Sequence, residues 1–251
     1  MATFSRLIRF LARDGKTYYG DAILPHGVTD VSQAKAARVI SGSIFPVTNP
    51  PSYTITDHIA QIRVFLPPLS PTDLGTVRCL GLNFEQHARE ASMPIPESPV
   101  LFYKPPTSIS SHGSSIPIPF HTQSDPGLDY ECELVIVISK PCLNVPPSQA
   151  LDYVLGYTVG NDISHRFWQL KKGGGQWGLG KCYDGWAPMG PAIVSKEVIP
   201  DPQNLKMKTT LNGQVVQDST TADQIFGVKE TVSALSMGTT LMPGDLIFTG
   251  T

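Results

Sequence analysis

Apolar positions along the chain fall in many short runs broken by Gly and Pro, the pattern of strands joined by turns and not of long amphipathic helices. A first strand is predicted over residues 6–11, entering a turn at Asp14-Gly15. A Pro-rich stretch, Leu66-Pro67-Pro68-Leu69-Ser70-Pro71, closes a small N-terminal module expected over residues 1–70. Beyond it the pattern predicts a strand over 77–81, a short helix over 83–92 and a strand over 100–103, then a Ser/Pro-rich loop to Pro126. The strongest strand is 130–139, whose later part, Leu134-Val135-Ile136-Val137-Ile138, is continuously apolar and so expected to be buried on both faces. A short helix over 148–154 and a strand over 156–161 follow, and Asn212-Gly213 and Pro243-Gly244-Asp245 are turn signals. The fold class is therefore mainly β with short helices (α+β), without internal repeats, with the main domain over 71–251.

Composition narrows the function classes. Lys plus Arg (19) nearly balances Asp plus Glu (21), and charged residues are 16% of the chain. That argues against electrostatic capture of nucleic acid. No apolar run approaches the roughly 18 residues of a membrane span. Cys79, Cys132, Cys142 and Cys182 form no C-x-x-C pair and follow no secretory leader, which points to a reducing compartment. The segment 1–13 carries Arg6, Arg9 and Arg13 and no acid, so it reads either as a transit peptide or as the first strand. The strand reading is preferred and a cytoplasmic location expected, with a mitochondrial one as the alternative.

Glu131 and Glu133 stand two apart on the strongest strand, so their carboxylates leave one face with Cα atoms roughly 6.5 Å apart. Such a pair suits either a solvated edge strand or a bound cation, because close like charges need neutralising. Asp162, at the end of the next strand, offers a third oxygen ligand. Three acids without a His or Cys pattern suit Mg²⁺ or Mn²⁺, or else Ca²⁺, better than Zn²⁺. In Asn83-Phe84-Glu85-Gln86, Asn83 and Gln86 have capping-box spacing, and His87 and Glu90 then lie i, i+3 on the helix. They form either a general base with its orienting carboxylate or an ordinary surface pair. Gly175 to Lys181 satisfies G-x-x-x-x-G-K, yet Cys182 replaces the Ser or Thr of a phosphate loop and residues 166–172 read as a polar helix. The stretch is better read as a flexible loop delivering Lys181 to a site or to solvent. Arg166 and Gln169, again i, i+3, face one way on a helix, either as a guanidinium site for a carboxylate or as an ordinary helix surface.

The order of these motifs resembles the fumarylacetoacetate hydrolase family. The matching runs are Gly81-Leu82-Asn83-Phe84 with His87-Ala88 and Glu90, and Leu101-Phe102-Tyr103-Lys104-Pro105. Asp129-Tyr130-Glu131-Cys132-Glu133-Leu134, Gly156-Tyr157-Thr158, Asn161-Asp162-Ile163-Ser164 and Arg166 follow. Then come Gln176-Trp177, Gly180-Lys181, Ala187-Pro188-Met189-Gly190-Pro191, Pro243-Gly244-Asp245 and Thr249-Gly250-Thr251. The resemblance implies a mixed β-sandwich roll, a homodimer, and a divalent cation on Glu131, Glu133 and Asp162. It further implies that His87 and Glu90 activate water, that Lys181 lies beside the reacting carbonyl, and that Tyr103, Lys104, Arg166, Gln169 and Thr251 bind substrate. The implied reaction is metal-dependent hydrolysis of a C–C bond in an acylpyruvate or related diketo acid. Decarboxylation of oxaloacetate, keto/enol isomerisation, a natural-product tailoring step or a non-catalytic binding role are the alternatives. Two departures bear on the pocket: Phe167 stands where the family often has an acid, and His165 where it has a small residue. The chain also stops at Thr251, inside a motif that the family continues, so the C-terminal end is read as truncated.

Overall fold

The computed structural model describes residues 3–45 and 53–251. Strands β1 (Arg6–Ala12), β2 (Thr17–Ile23), β3 (Ala36–Ser41) and β4 (Thr54–Leu66) pair antiparallel, in the sequence β1–β2–β3–β4 and back to β1. Closing the ring leaves no edge within it. Its narrow interior takes Ile8 and Phe10 from β1 together with Ala37, Val39 and Ala60. The N-terminal module expected over 1–70 includes residues 46–52, which lie outside the described residues. Its strands are continuous with the rest of the molecule, because Arg6 and Leu7 pair with Val194 and Ile193.

The remaining strands of this large sheet are β5 (Val77–Gly81), then, beyond helix α1 (Glu85–Glu90), β6 (Val100–Lys104) and β7 (Ile109–Ser111). Past the two-residue β8 (Leu128–Asp129) come β9 (Cys132–Ile138) and β10 (Val154–Asn161). After β11 (Ser164–His165), which pairs with β8, come β12 (Ala187–Met189) and β13 (Ile193–Ser195). A separate hairpin, β14 (Lys206–Leu211) and β15 (Gln214–Thr220), precedes α2 (Val228–Ser236) and β16 (Leu246–Phe248). From β1 the order runs β1-β13-β10-β9-β16-β5-β6, with β16 parallel to β5 and the other pairs antiparallel; β12 bridges β10 to β7.

Strand β9 is buried on both faces, as its composition requires. Val135 and Val137 pack with Cys79, Leu246 and Phe248, while Leu134, Ile136 and Ile138 pack beneath Val228, Val232 and Leu235 of α2. Asn212 and Gly213 turn the β14–β15 hairpin with φ of 50° and 80°, the two positive values that a two-residue type I′ loop demands.

Three local expectations change. The helix predicted over 148–154 is a 3₁₀ stretch, Pro147–Tyr153, that runs directly into β10. Residues 166–172 are helical but end in a π-turn, Trp168–Lys172. Asn83 is not the helix cap: Phe84 holds that position, and the Asn83 amide instead donates to the carbonyls of Thr249 (2.7 Å) and Phe226 (3.1 Å). The free N–H of Gln86 is met from afar by Asp223 Oδ2 at 3.0 Å. A buried Asn with backbone partners is worth more to the fold in that place than at an exposed cap.

Arg78, 4% exposed, clamps the far end of the sheet. Its guanidinium lies 3.7 Å from Asp245 Oδ2 and donates to the carbonyls of Leu235 (3.3 Å) and Thr240 (3.4 Å), while Asp245 accepts from Thr76 N at 2.6 Å. Removing one partner of a buried ion pair strands the other. Arg78→Ala is therefore expected to cost about 3 kcal/mol or more, read as a lower urea midpoint; an unchanged midpoint would show that the clamp contributes nothing.

Candidate active site

Antiparallel pairing of Gly160 with Glu133 and of Asn161 with Cys132 sets the end of β10 beside the start of β9. Glu131 directly precedes β9, and Asp162 directly follows β10. The Asp162 N–H donates to Glu131 O at 2.9 Å, and Asn161 Oδ1 accepts from Glu131 N at 3.0 Å. Carboxylate oxygens of Glu131, Glu133 and Asp162 consequently lie within 4.8 Å of one another. Glu133 and Asp162 are fully buried, and Glu131 is part-exposed.

Two buried lysines answer this charge. Lys181 Nζ donates to Asp162 Oδ2 (2.6 Å), Glu131 Oε2 (2.8 Å) and Ser164 Oγ (2.6 Å), and stands 5.0 Å from the Phe102 ring centre. Lys104 Nζ lies 2.6 Å from Asp162 Oδ1 and donates to the carbonyls of Ile163 and Trp186, both at 3.1 Å, and of Lys181. Burial alone would raise the Asp162 carboxyl, but the Lys104 and Lys181 charges outweigh it and hold it below its ordinary value. Burial likewise disfavours the Lys181 ammonium, and the Asp162 and Glu131 carboxylates more than restore it.

Glu133 is left over. Its Oε2 accepts from Gly250 N at 2.7 Å, whereas Oε1 is buried with no hydrogen-bond partner among the described residues. Burial, and then the neighbouring Asp162 and Glu131 charges, push its carboxyl well above the usual range. Burial, and then the Asp162 and Glu133 charges, also raise the Cys79 thiol. An all-oxygen donor set with one unpartnered buried carboxylate oxygen fits a hard divalent cation.

Above this floor opens a cleft of about 440 Å³. Glu131 and Arg166 line it; Phe84, His87 and Glu90 come from the α1 side, and Met207, Val216 and Gln217 from the β14–β15 hairpin. Thr251 also lines it and accepts from Gln217 at 2.8 Å. Arg166 bridges Asp129 (2.8 Å) and Glu131 (2.7 Å), and burial's effect on its guanidinium is outweighed by Glu131 and Asp129, so its pKa is raised. Glu90 does not bond His87; its Oε1 accepts from Gln86 at 2.9 Å.

Three residues expected to bind substrate stand elsewhere. Tyr103 leaves the opposite face of β6 from Phe102 and Lys104, because successive strand residues alternate, and its ring meets Arg78 at 5.9 Å. Lys104 is 2% exposed and acts as the inner counter-ion of Asp162. Gln169, 5% exposed, sits behind Arg166 and accepts from it at 3.0 Å. The Gly-rich stretch is not an open loop. After the π-turn it closes in a 3₁₀ turn, Gly178–Gly180, and a Cβ on Gly180 would meet Gln169 N at 2.5 Å. That contact fixes where Lys181 begins. His165 is buried away from the cleft with Nε2 3.2 Å from Thr122 O, and Phe167 lies under Lys172 at 5.2 Å.

Ser164 and Asp129 stand in the family-matching motif runs but carry no assigned role there, and Gln217 stands in none of them. Ser164 is i+2 from Asp162, a spacing that on its own distinguishes nothing, and Gln217 arrives from a hairpin remote in sequence.

Among the described residues, no helix is long and apolar enough to cross a membrane. The sequence profile described as fumarylacetoacetate (FAA) hydrolase C-terminal matches residues 76–251. A Dictyostelium discoideum protein named fumarylacetoacetate hydrolase domain-containing protein 2 homolog is 50% identical over 72% of this chain and 61% of its own length. An oxaloacetate tautomerase from Xenopus laevis, named as mitochondrial, is 42% identical over 72% of the chain and 56% of its own. The chain thus spans less than two thirds of either relative. A caffeoylpyruvate hydrolase from Neonothopanus nambi is 40% identical over 100% of the chain and 82% of its own length. The crystal structure of a 2-hydroxyhepta-2,4-diene-1,7-dioate isomerase from Mycobacterium marinum superposes with a TM-score of 0.80 at 34% identity, covering 98% of this chain and 87% of that one. With the acid triad, its lysines and the mixed sheet in place, the chain belongs to the fumarylacetoacetate hydrolase family.

Proposed function

We propose that the protein is a divalent-metal-dependent hydrolase that cleaves a C–C bond in an acylpyruvate or related diketo acid. The observation that carries this reading is the unpartnered, buried Oε1 of Glu133, set among Glu131 and Asp162 beneath a cleft that His87 lines. Glu131, Glu133 and Asp162 would hold Mg²⁺ or Mn²⁺, with Ca²⁺ the remaining all-oxygen candidate, and the ion would supply Lewis-acid stabilisation of charge on a 2-oxo acid.

The protein's own groups do the rest. Arg166, one-third exposed at the cleft wall, binds the substrate carboxylate by charge-assisted hydrogen bonds. His87 takes a proton from water as the water oxygen adds to the distal carbonyl carbon. Glu90, one turn along α1, is assigned the carboxylate that orients this base, a role in which it exchanges its Gln86 partner for the imidazole. When the C–C bond breaks, its electron pair passes to the pyruvyl methylene carbon, which His87 reprotonates. Acylpyruvate and water thus give a carboxylic acid and pyruvate. Lys181 donates to Glu131 and Asp162 and supports negative charge developing above them.

A second reading is keto/enol tautomerisation, or decarboxylation, of oxaloacetate, each of which uses the same floor without an attacking water. The name of the Xenopus relative and the absence of a His87–Glu90 hydrogen bond favour it. We also infer a homodimer: Val159, in the middle of β10, is 58% exposed and walls a mostly apolar recess of about 420 Å³ with Val194 and Met207. Four free cysteines suit a reducing, cytoplasmic setting, with the mitochondrion as the alternative.

Glu131→Ala is expected to abolish together the Mg²⁺-dependent rise in thermal midpoint and turnover; turnover surviving in chelator-treated Glu131→Ala protein would overturn the mechanism. His87→Ala should slow hydrolysis roughly 10²- to 10⁴-fold, followed by product analysis, and an unaltered hydrolytic rate removes His87 as the base. If oxaloacetate turnover persists in that variant, tautomerisation or decarboxylation is the better reading. Val159→Glu should convert a dimer to a monomer by light scattering, and a wild-type monomer would refute the association.

A further inference from the structure

Glu131 and Arg166 suit a 2-oxo acid, and a 440 Å³ space leaves room for a distal group of substantial size. The apolar surface of the lining comes from Phe84, Tyr130, Met207 and Val216. Apart from Asp129 and Glu131, which Arg166 bridges, its acids are Glu90, Asp218 and Asp223. The Lys and Arg side chains on the wall are Arg166 and Lys208. Arg166, beside Asp129 and Glu131, is assigned to the carboxylate of the 2-oxo acid itself, and Lys208 lies 3.3 Å from Asp218 at the rim. A second substrate carboxylate would enter this space among like charges with no free cation to meet it, an arrangement that disfavours the charged form strongly once water is displaced.

The hairpin carrying Met207 and Val216 is held at a set distance from the floor. Gln217 Oε1 accepts from Cys132 N at 3.2 Å and from Thr209 Oγ1 at 2.7 Å, while Nε2 donates to Thr251 Oγ1 at 2.8 Å. One side chain thereby ties β15 to β14, to the strand between the two glutamates, and to the cleft wall at Thr251. A hairpin placed so can read the size and polarity of whatever lies beyond the 2-oxo acid.

We infer that the protein selects 2-oxo acids with an uncharged, apolar distal group over diacids, and that β14–β15 is the element that makes the selection, with Gln217 positioning it. The inference rests on the reading of the floor as a 2-oxo acid site. It is tested with the full chain and Mg²⁺ by calorimetric binding of two 2,4-dioxo acids of matched length, one ending in a phenyl ring and one in a carboxylate. At least tenfold tighter binding of the phenyl compound is expected. Val216→Lys, on an exposed hairpin position, should narrow that preference at least fivefold by adding a free cation. Val215→Lys, beside it but outside the cleft, should leave it unchanged.

Equal or tighter binding of the diacid by the wild-type protein overturns the inference, as does an identical response to the two lysine variants. Binding of neither acid overturns it together with the reading of the floor. Product analysis of the same mixtures separates the two readings. Selective binding without cleavage supports the selection while removing hydrolysis, and cleavage with preference for the diacid keeps hydrolysis while removing the selection.

Discussion

A fully buried carboxylate, Asp162, is the constraint around which the centre of this molecule is arranged. Ionised and alone it would be too costly to bury, and the protein answers with two ammonium groups that arrive from places far apart in the chain. Lys104 comes from the end of β6, and Lys181 from the turn after the Gly-rich stretch. Lys104 faces Asp162 with its charge and gives its three hydrogens to the carbonyls of Ile163, Trp186 and Lys181, while Lys181 gives one to Asp162 and the other two to Glu131 and Ser164. Neutralising one charge thus locks four backbone segments together.

The same arithmetic leaves the site incomplete. Three acids face two buried lysines, and Arg166 is divided between Glu131 and Asp129. The unmatched group is Glu133, whose carboxyl is driven upward by burial and by its acidic neighbours and whose Oε1 has no partner. Structure held by charge pairs and an all-oxygen donor set suited to a hard cation are therefore two sides of one arrangement. Gly250, with φ of 84°, brings its N–H to the other oxygen of Glu133, and a side chain there would press on Asn83 at 2.9 Å. The turn at the end of the chain is thus fitted to the acid it serves.

Where residues stand relative to the cleft follows from rules of local geometry as much as from chemistry. Tyr103 and Lys104 are adjacent, yet the pleat of β6 sends one outward to Arg78 and the other inward to Asp162. Arg166 and Gln169 do share a side, as their i, i+3 spacing predicts, but Gln169 serves the arginine from behind instead of reaching the cleft. Sequence proximity predicted their association, and the fold decided that Arg166 lines the cleft while Gln169 does not.

From the sequence alone came the β-rich class, the buried character of β9, the Asn212-Gly213 hairpin and the two-residue spacing that puts Glu131 and Glu133 on one side. All of these are local: they depend on periodicity, turn chemistry and the pleat, which act within a few residues. The same spacing could not separate a solvated edge from a buried floor, since that difference lies in what packs above. Only the tertiary structure decided it, by pairing β9 with β10 so that Asp162 meets the two glutamates, and by bringing Lys104 and Lys181 to them. The role of Gln217 was likewise invisible, because its partners Cys132 and Thr251 are 85 and 34 residues away and meet it only when the hairpin folds over the cleft. Local pattern is written in neighbours along the chain, whereas burial and charge pairing are properties of groups that the fold alone makes neighbours.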